Sequence, residues 1–186
     1  MPRLVELCIT LLAVIVLSVP MVLIAIAVRL TSSGPAIYWS DRVGQHNRIF
    51  RMPKFRSMRT DTPAVATHLL TDGSAWLTPI GGFLRRSSLD ELPQTWCILT
   101  GEMSIVGPRP ALFNQYDLVT TRTEHGVHRL RPGLTGWAQV NGRDDLSISD
   151  KVALDEEYLR RRSFRFDVRI IWLTLIKVVA GHGVSH

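Results

Sequence analysis

Hydrophobic residues are concentrated in one long run near the start of the chain. No charged residue occurs from Leu7 to Val28, and about 20 apolar residues are enough to cross a bilayer as one helix. Pro20 lies in mid-run, where it would remove the hydrogen bond to the Val16 carbonyl and cost a continuous helix about 3 kcal/mol. The pattern predicts a membrane segment that is either one spanning helix or a re-entrant helix–break–helix.

The residues around this run bear on the choice. Arg3 precedes it and Arg29 follows it, and the preference of positive residues for the cytoplasm draws both ends to that side. The Ser18 hydroxyl could bond a backbone carbonyl near the proline. These features favour the re-entrant form. A secretory signal peptide is a third interpretation, because the segment from Ala25 to Ala27 resembles a small-residue cleavage site.

The last apolar stretch, Arg165 to Ala180, has a helical period. Phe166, Ile170 and Leu173 share one face of the predicted helix. Trp172, together with the interspersed cations, could instead lie at a membrane surface. The two interpretations are an ordinary core helix and an interfacial amphipathic helix. Farther upstream, the segment from Thr60 to Ser74 is rich in Thr, Asp, Pro and Gly and is predicted to be a flexible loop.

The charge balance points to an anionic partner. The chain carries a formal net charge of +6, from 22 Lys and Arg against 16 Asp and Glu. Such an excess suits nucleic acid, a lipid headgroup surface or a phosphorylated substrate. No RNP-like, C2H2 or helix-turn-helix signature occurs, so we expect no nucleic-acid partner. The two cysteines, Cys8 and Cys97, form no disulfide framework, which fits a cytoplasmic globular part.

An acidic pair, Asp90–Glu91, lies between clusters of cations. Pro93 suits the first turn of a helix, and Ser88 and Glu91 have capping-box spacing. The pair would then lie at a helix N-terminus, where Asp90 should be ionised and available as a nucleophile. Mg²⁺ bridging one carboxylate to a diphosphate is the expected companion. A capping pair without chemistry is the alternative. The helix would bury a stripe of three residues, Leu92, Trp96 and Leu99.

The surrounding cations are suited to phosphate oxygens, which arginine binds through two donors and lysine as a point charge. They are Lys54, Arg56 and Arg59 before the pair, Arg85 and Arg86 next to it, and Arg109 after it. Gly107 to Pro110 forms a stiff turn that could fix Arg109 in space. The segment from Arg131 to Arg143 has glycines that permit close approach to a ligand. Trp137 could stack on that ligand or pack in the core.

Several segments, taken in order, carry a resemblance to a known family. They are Ser18-Val19-Pro20, Gly34-Pro35, Arg42-Val43-Gly44, Lys54-Phe55-Arg56-Ser57-Met58, Ser88 through Gln94, Gly101 through Pro110, and Arg131 through Arg143. Together they resemble the bacterial sugar transferases called monotopic phosphoglycosyl transferases, in their small, core-only form. The resemblance covers nearly the whole chain.

The resemblance implies a reaction. A sugar 1-phosphate would move from a UDP-sugar to polyprenyl (undecaprenyl) phosphate, with release of UMP. Asp90 matches the nucleophilic aspartate, which forms a covalent phosphosugar intermediate, and Glu91 matches the Mg²⁺-binding glutamate. By the same match, Lys54, Arg85 and Arg109 would hold phosphates, and Arg131, Asn141 and Arg143 are weaker candidates for the nucleotide-sugar end.

The resemblance also implies an architecture. Residues 1–30 would form a re-entrant membrane hairpin, and residues 31–186 a cytoplasmic catalytic domain with interfacial amphipathic helices. The fold would be α+β, mostly helical, at the cytoplasmic face of a bacterial inner membrane. A single-span transferase and a non-catalytic basic module that binds anionic membrane lipids are the competing hypotheses.

Three positions depart from the family pattern. Val19 separates Ser18 from Pro20, Cys97 stands where Asn is common, and Ser40 stands where Gln is common. The last two could bear on substrate preference. An N-acetylated amino sugar is the expected donor, with galactose or glucose as alternatives, while the pathway and the oligomeric state stay open.

Overall fold

The computed structural model describes residues 1–63, 73–142 and 146–179. Seven helices and four strands follow one another in this part of the chain: α1 (Arg3–Thr31), β1 (Ile37–Val43), β2 (Ile49–Phe55), α2 (Gly81–Arg86), α3 (Thr95–Thr100), β3 (Ser104–Val106), α4 (Tyr116–Glu124), β4 (Gly133–Thr135), α5 (Trp137–Val140), α6 (Ile148–Arg161) and α7 (Phe164–Val179). The prediction of a mostly helical α+β fold is confirmed. Most of the loop predicted from Thr60 to Ser74 lies outside the described residues, as does Arg143.

Helix α1 is long and apolar enough to cross a membrane. It continues through Pro20 without interruption, so the predicted break does not divide this segment into two helices. Pro20 cannot donate a backbone hydrogen bond, and just before it the Ser18 hydroxyl donates to the Ile15 carbonyl at 2.7 Å. The expected bond from Ser18 to a nearby carbonyl is confirmed, whereas the re-entrant course stays a prediction.

Both ends of α1 are attached to the globular domain. At its start, Arg3 donates to the Ile98 carbonyl, and the buried carboxylate of Glu6 accepts the backbone N–H of Ile105 at 2.6 Å. At its end, Val28 is fully buried against side chains of β2 and α2. The middle of the helix exposes large apolar side chains, including Leu11, Leu12, Ile15, Val16, Val19, Val22 and Leu23. The helix therefore contacts the domain at two separate places and leaves its apolar middle uncovered.

Arg56 holds the segment that follows α1. Its buried guanidinium donates to the Ser32 carbonyl at 3.0 Å, the Ser33 carbonyl at 2.5 Å and the Pro35 carbonyl at 2.7 Å. The interpretation of Arg56 as one of the phosphate-binding cations is therefore wrong. Carbonyls beyond a helix end lack intrahelical partners, and this arginine supplies donors for them.

The strands form two small two-stranded sheets. Strands β1 and β2 form an antiparallel pair that runs from Ile37 opposite Phe55 to Val43 opposite Ile49. Strands β3 and β4 are parallel. Beneath β2 a core cluster joins it to α3 and the residues after α3, and it consists of Phe50, Met52, Cys97, Ile98 and Met103. Since Lys54 lies near the end of β2, this packing places it above the segment that carries the acidic pair.

Helix α7 has two apolar faces. One face is in the core, where Phe166 and Ile170 are buried. The other exposes a row of apolar residues at helical spacing, namely Phe164, Val168, Trp172, Leu175, Ile176 and Val178. The predicted core helix is thus confirmed for one face. An interfacial role for the other face stays a prediction.

Two adjacent glycines at the start of α2 give a matched test of packing. A Cβ on Gly81 would lie 1.9 Å from the Ser57 carbonyl oxygen, whereas a Cβ on Gly82 would first meet the mobile end of Arg86 at 3.3 Å. Gly81→Ala should lower the free energy of unfolding by about 2–4 kcal/mol, because backbone would have to shift. Gly82→Ala should change it by less than about 1 kcal/mol. Thermal unfolding in detergent measures both, and equal effects would contradict this packing.

Candidate active site

Asp90 and Glu91 lie in a 3-10 turn rather than in the first turn of an α-helix. The turn covers Leu89–Gln94, and helix α3 begins only at Thr95. The predicted capping box is wrong: Ser88 has a left-handed backbone (φ 55°), and its side chain makes no cap hydrogen bond. Glu91 is therefore available for other partners.

The predicted buried stripe is also partly wrong. Trp96 is 59% exposed, and the residues that α3 buries in the core are Cys97 and Ile98. Burial raises the pKa of the Cys97 thiol to about 12, so it behaves as a small apolar side chain. Ser40, the other departure from the family pattern, is buried and accepts the Arg42 Nε–H at 3.0 Å.

Two of the predicted phosphate-binding cations meet at Glu91. Its Oε1 accepts from Lys54 Nζ at 2.9 Å and from Arg109 Nη2 at 3.1 Å. These residues are separated by 37 and 18 positions along the chain from the glutamate. Arg85 is near enough to lower the pKa of Asp90. The structure thus places Lys54 and Arg109 in contact with Glu91 and Arg85 near Asp90, whereas phosphate binding by the three cations stays a prediction.

Asp90 is buried, with 8% of its surface exposed. Burial raises the pKa of its carboxyl group, and the neighbouring Glu91 charge adds to this effect. Lys54 opposes the increase most strongly, with smaller contributions from Arg85 and Arg109. The prediction that the dipole and free N–H groups of a helix N-terminus keep Asp90 ionised is therefore replaced by a balance between desolvation and three cations. A carboxylate that is short of water and close to cations has a perturbed environment of the kind found at functional sites.

Lys54 has the complementary environment. Burial lowers the pKa of its ammonium group, Glu91 opposes this most strongly, and Arg109 adds to the decrease. Lys54 and Asp90 therefore each carry a charge that burial disfavours and that a neighbour of opposite sign supports. The site is a compact set of mutually dependent charges.

The glycines near Arg131 serve a contact between backbones. A Cβ on Gly107 would lie 2.4 Å from the Arg131 carbonyl oxygen, and a Cβ on Gly133 would lie 2.1 Å from the Gly107 nitrogen. Gly107 N–H also donates to the Thr135 carbonyl at 2.8 Å. The expectation that glycines of the 131–143 segment approach a ligand is wrong at Gly133, which together with Gly107 lets β4 lie against the turn that carries Arg109.

Of the three residues predicted for the nucleotide-sugar end, the two that the structure describes lie at the surface. Arg131 is exposed, and Asn141 donates its side-chain amide to the Trp137 carbonyl at 2.7 Å at the end of α5. Trp137 packs on Phe166 with ring centroids 5.0 Å apart, so its core alternative is confirmed. Arg143 is outside the described residues. Nucleotide-sugar binding by Arg131, Asn141 and Arg143 stays a prediction.

The acidic pair suits a magnesium ion that would be bound partly by the protein and partly by the substrate. The described residues contain no group of three or more His, Cys, Asp or Glu side chains able to hold a metal by themselves. Mg²⁺ commonly takes one or two carboxylates and fills its other positions with phosphate oxygens and water. Glu91, whose carboxylate lies between Lys54 and Arg109, would supply one carboxylate of such a donor set.

Two residues that sequence reasoning missed lie behind Arg109. Arg122 donates to the Arg109 carbonyl at 2.8 Å and forms an ion pair with Asp155. Asp155 is 1% exposed and shares the buried face of α6 with Val152 and Tyr158, three positions before and after it. A carboxylate on the apolar stripe of a helix requires a buried partner, and this spacing is the signal that could have identified it.

Comparisons with known proteins identify the family. A family model described as bacterial sugar transferase matches residues 1–181. The chain therefore belongs to the bacterial sugar transferase family.

Curated relatives of this chain have names that mention different sugars. The chain is 42% identical over 161 residues to the UDP-glucose:undecaprenyl-phosphate glucose-1-phosphate transferase of Escherichia coli, covering 83% of this chain and 35% of that one. It is 37% identical over 164 residues to the galactosyl transferase CpsE of Streptococcus agalactiae, covering 82% and 36%. It is 40% identical over 158 residues to the uncharacterized sugar transferase EpsL of Bacillus subtilis, covering 85% and 77%. The chain thus spans about a third of the length of the first two.

Proposed function

We propose that this protein transfers a sugar 1-phosphate from a UDP-sugar to polyprenyl phosphate, such as undecaprenyl phosphate, with release of UMP. This step would begin the assembly of a membrane-bound glycoconjugate. The observation that carries the proposal is the buried Asp90 carboxylate, next to Glu91 and among Lys54, Arg85 and Arg109. The names of the relatives support the same class of donor and acceptor.

The proposed chemistry has two displacements at one phosphorus. An Asp90 carboxylate oxygen attacks the β-phosphorus of the donor, the bond from that phosphorus to the bridging oxygen breaks, and UMP leaves with the electron pair. The aspartyl phosphosugar is then attacked by a phosphate oxygen of the lipid, the bond to the Asp90 oxygen breaks, and the carboxylate is regenerated. The result is polyprenyl-diphosphate-sugar, and one diphosphate linkage has replaced another.

The remaining side chains position and neutralise charge, which are the main needs of phosphoryl transfer. Lys54 supports ionised Asp90 and, with Arg85 and Arg109, balances the negative charge that collects on the transferred group. We propose that Glu91 also binds Mg²⁺, which would neutralise the diphosphate when bound. The contacts of Lys54 and Arg109 with Glu91 would hold both cations close to that position before substrate enters.

We propose further that α1 bends at Pro20 without breaking into two helices, and that it is re-entrant at the cytoplasmic face of the inner membrane. The support is that both its ends contact the same domain, while its middle exposes apolar side chains. A helix that crossed the bilayer would place its ends on opposite sides, where one polar domain could not contact both. In the re-entrant form, the site lies at the interface, where a lipid phosphate and a soluble UDP-sugar can meet.

Thiol labelling tests this course. Leu4→Cys and Leu30→Cys, at positions that are 74% and 82% exposed, would be introduced singly after Cys8→Ser. We expect a membrane-impermeant maleimide to label both in inside-out vesicles and neither in right-side-out vesicles. Labelling of the two positions from opposite sides would show a spanning helix instead.

The donor sugar stays a prediction. Relatives of similar identity are named for different sugars, glucose in one and galactose in another, so overall identity does not select among donors. An N-acetylated amino sugar remains our expectation.

The test is release of UMP by purified protein in nanodiscs with Mg²⁺, undecaprenyl phosphate and a panel of UDP-sugars. We expect lipid-dependent release with one sugar and none for Asp90→Asn. Lipid binding without turnover by folded protein on every sugar would favour a non-catalytic membrane module.

A further inference from the structure

The turn that carries Arg109 is held through its carbonyl groups. Pro108 and Pro110 have no backbone N–H, so acceptors dominate the polar backbone of this segment. The Pro108 carbonyl accepts Gly133 N–H at 2.9 Å, and the Pro110 carbonyl accepts Arg42 Nη1 at 3.2 Å. The Arg109 carbonyl between them accepts from Arg122. Three consecutive carbonyls are thus bound by donors from three other parts of the chain.

Arg122 is held in place by a buried acidic partner. Its Nη1 lies 2.8 Å from the Arg109 carbonyl oxygen, while Nε and Nη2 lie 3.0 and 2.6 Å from one Asp155 oxygen, Oδ2. The guanidinium is mostly buried, at 11% side-chain exposure, and Asp155 is at 1%. Because the guanidinium is planar, two bonds to Asp155 fix the direction of the third donor. The ion pair therefore sets where the Arg109 backbone can lie.

We propose that Arg122, seated on Asp155, is a positioning residue for the transfer reaction that acts through Arg109. The side chain of Arg109 reaches Glu91 at 3.1 Å, so a shift of its backbone would displace the guanidinium from the acidic pair. The inference rests on the proposed function, since Arg109 matters here as a ligand of the donor diphosphate.

Lysine cannot replace this arginine. An ammonium group is a compact point charge, and it cannot hold the carboxylate and the carbonyl in the fixed fork geometry of a guanidinium. Misplacement of a catalytic group by about 1 Å can reduce a rate by about 100-fold. Arg122→Lys is therefore expected to lower kcat/KM for the UDP-sugar roughly 10- to 100-fold.

A double-mutant cycle separates positioning from general damage to the fold. The rates of Arg122→Lys, Arg109→Gln and the double variant are compared in the lipid-dependent transfer assay, with unfolding followed in parallel. If Arg122 acts through Arg109, its substitution should cost less than about 2-fold once Arg109 has been replaced. If Arg122 only supported the fold, the fold-losses in rate of the two single variants would multiply in the double variant. Arg160→Lys is the matched control. Arg160 is exposed, and its ion pair with Glu156 is long, at 3.8 Å.

The outcomes are distinct. Wild-type rates for Arg122→Lys, or losses that multiply in the double variant, overturn this inference and leave the proposed function intact. A wild-type protein that never releases UMP overturns the proposed function and the inference with it. Should Arg122→Lys fail to fold, Asp155→Asn, which keeps the size of the side chain and one acceptor oxygen, takes its place in the same cycle.

Discussion

Replacement of Asp90 by asparagine is expected to reduce sugar-phosphate transfer by at least roughly 10⁴-fold, because an amide cannot form the aspartyl phosphosugar. The substitution keeps the size of the side chain within its buried position. Burial raises the pKa of Asp90, so the folded state binds its proton more readily than the unfolded state does. The stability gained from that proton is fully present at a pH below the pKa of Asp90 in the unfolded chain. It is lost as the pH rises through the higher pKa of Asp90 in the folded chain.

It follows that the ionised Asp90 carboxylate costs folding free energy at neutral pH. Asp90→Asn should therefore melt at the same temperature as wild type or higher while it loses turnover, which separates loss of chemistry from loss of fold. Asp117→Asn is the matched control, because Asp117 is exposed on α4 and its change should leave the rate unaltered. Turnover by a folded Asp90→Asn variant at more than a few per cent of wild type would exclude the proposed nucleophile.

Replacement of Lys54 by methionine is expected to reduce kcat/KM roughly 10²- to 10³-fold. Methionine fills much the same space but removes the charge that bonds Glu91 and most strongly opposes the raised pKa of Asp90. Preorganised charges in a site with little water commonly contribute effects of this size. Lys177→Met, the same chemical change in the last turn of α7, serves as the control.

The pH dependence of Lys54→Met gives a second signature. In wild type the rate should rise with pH as Asp90 ionises. This rise should occur above pH 3.8, the ordinary pKa of aspartate, because burial raises the pKa of Asp90. Without Lys54 this acidic limb should move to higher pH. On the basic side, the pKa of Lys54 is lowered from 10.5 by burial, so the wild-type rate should fall as Lys54 loses its proton. That basic limb should be absent in the variant, and unchanged limbs would contradict the assigned charges.

The sequence pattern predicted the elements that depend on local hydrophobicity. The charge-free run defined α1, and the spacing of Phe166 and Ile170 defined the buried face of α7. The pairing of the cations with the acidic residues came from the family resemblance. Nothing in the spacing of Lys54 and Glu91, 37 residues apart, shows that a strand end lies above a 3-10 turn.

The predictions that were wrong concern side chains whose partners are distant in sequence. Ser88 and Glu91 have the spacing of a capping box, but two distant cations compete for the Glu91 carboxylate and Ser88 adopts a left-handed conformation. Arg56 was predicted to be one more phosphate ligand, yet its guanidinium donates to backbone carbonyls in the segment after α1. Local rules give the residue types a site needs, while tertiary contacts decide which of them face it.

The covalent step is tested most directly by mixing the protein with a labelled UDP-sugar and Mg²⁺ in the absence of polyprenyl phosphate. We predict a burst of UMP no larger than one equivalent per protein, with the labelled phosphosugar attached to the peptide that contains Asp90 and released when undecaprenyl phosphate is added. The contrary result is that UMP and labelled protein are both absent until the lipid is added, and that the lipid then receives the sugar 1-phosphate in a single step. Transfer would then be direct, and Asp90 would not be the nucleophile.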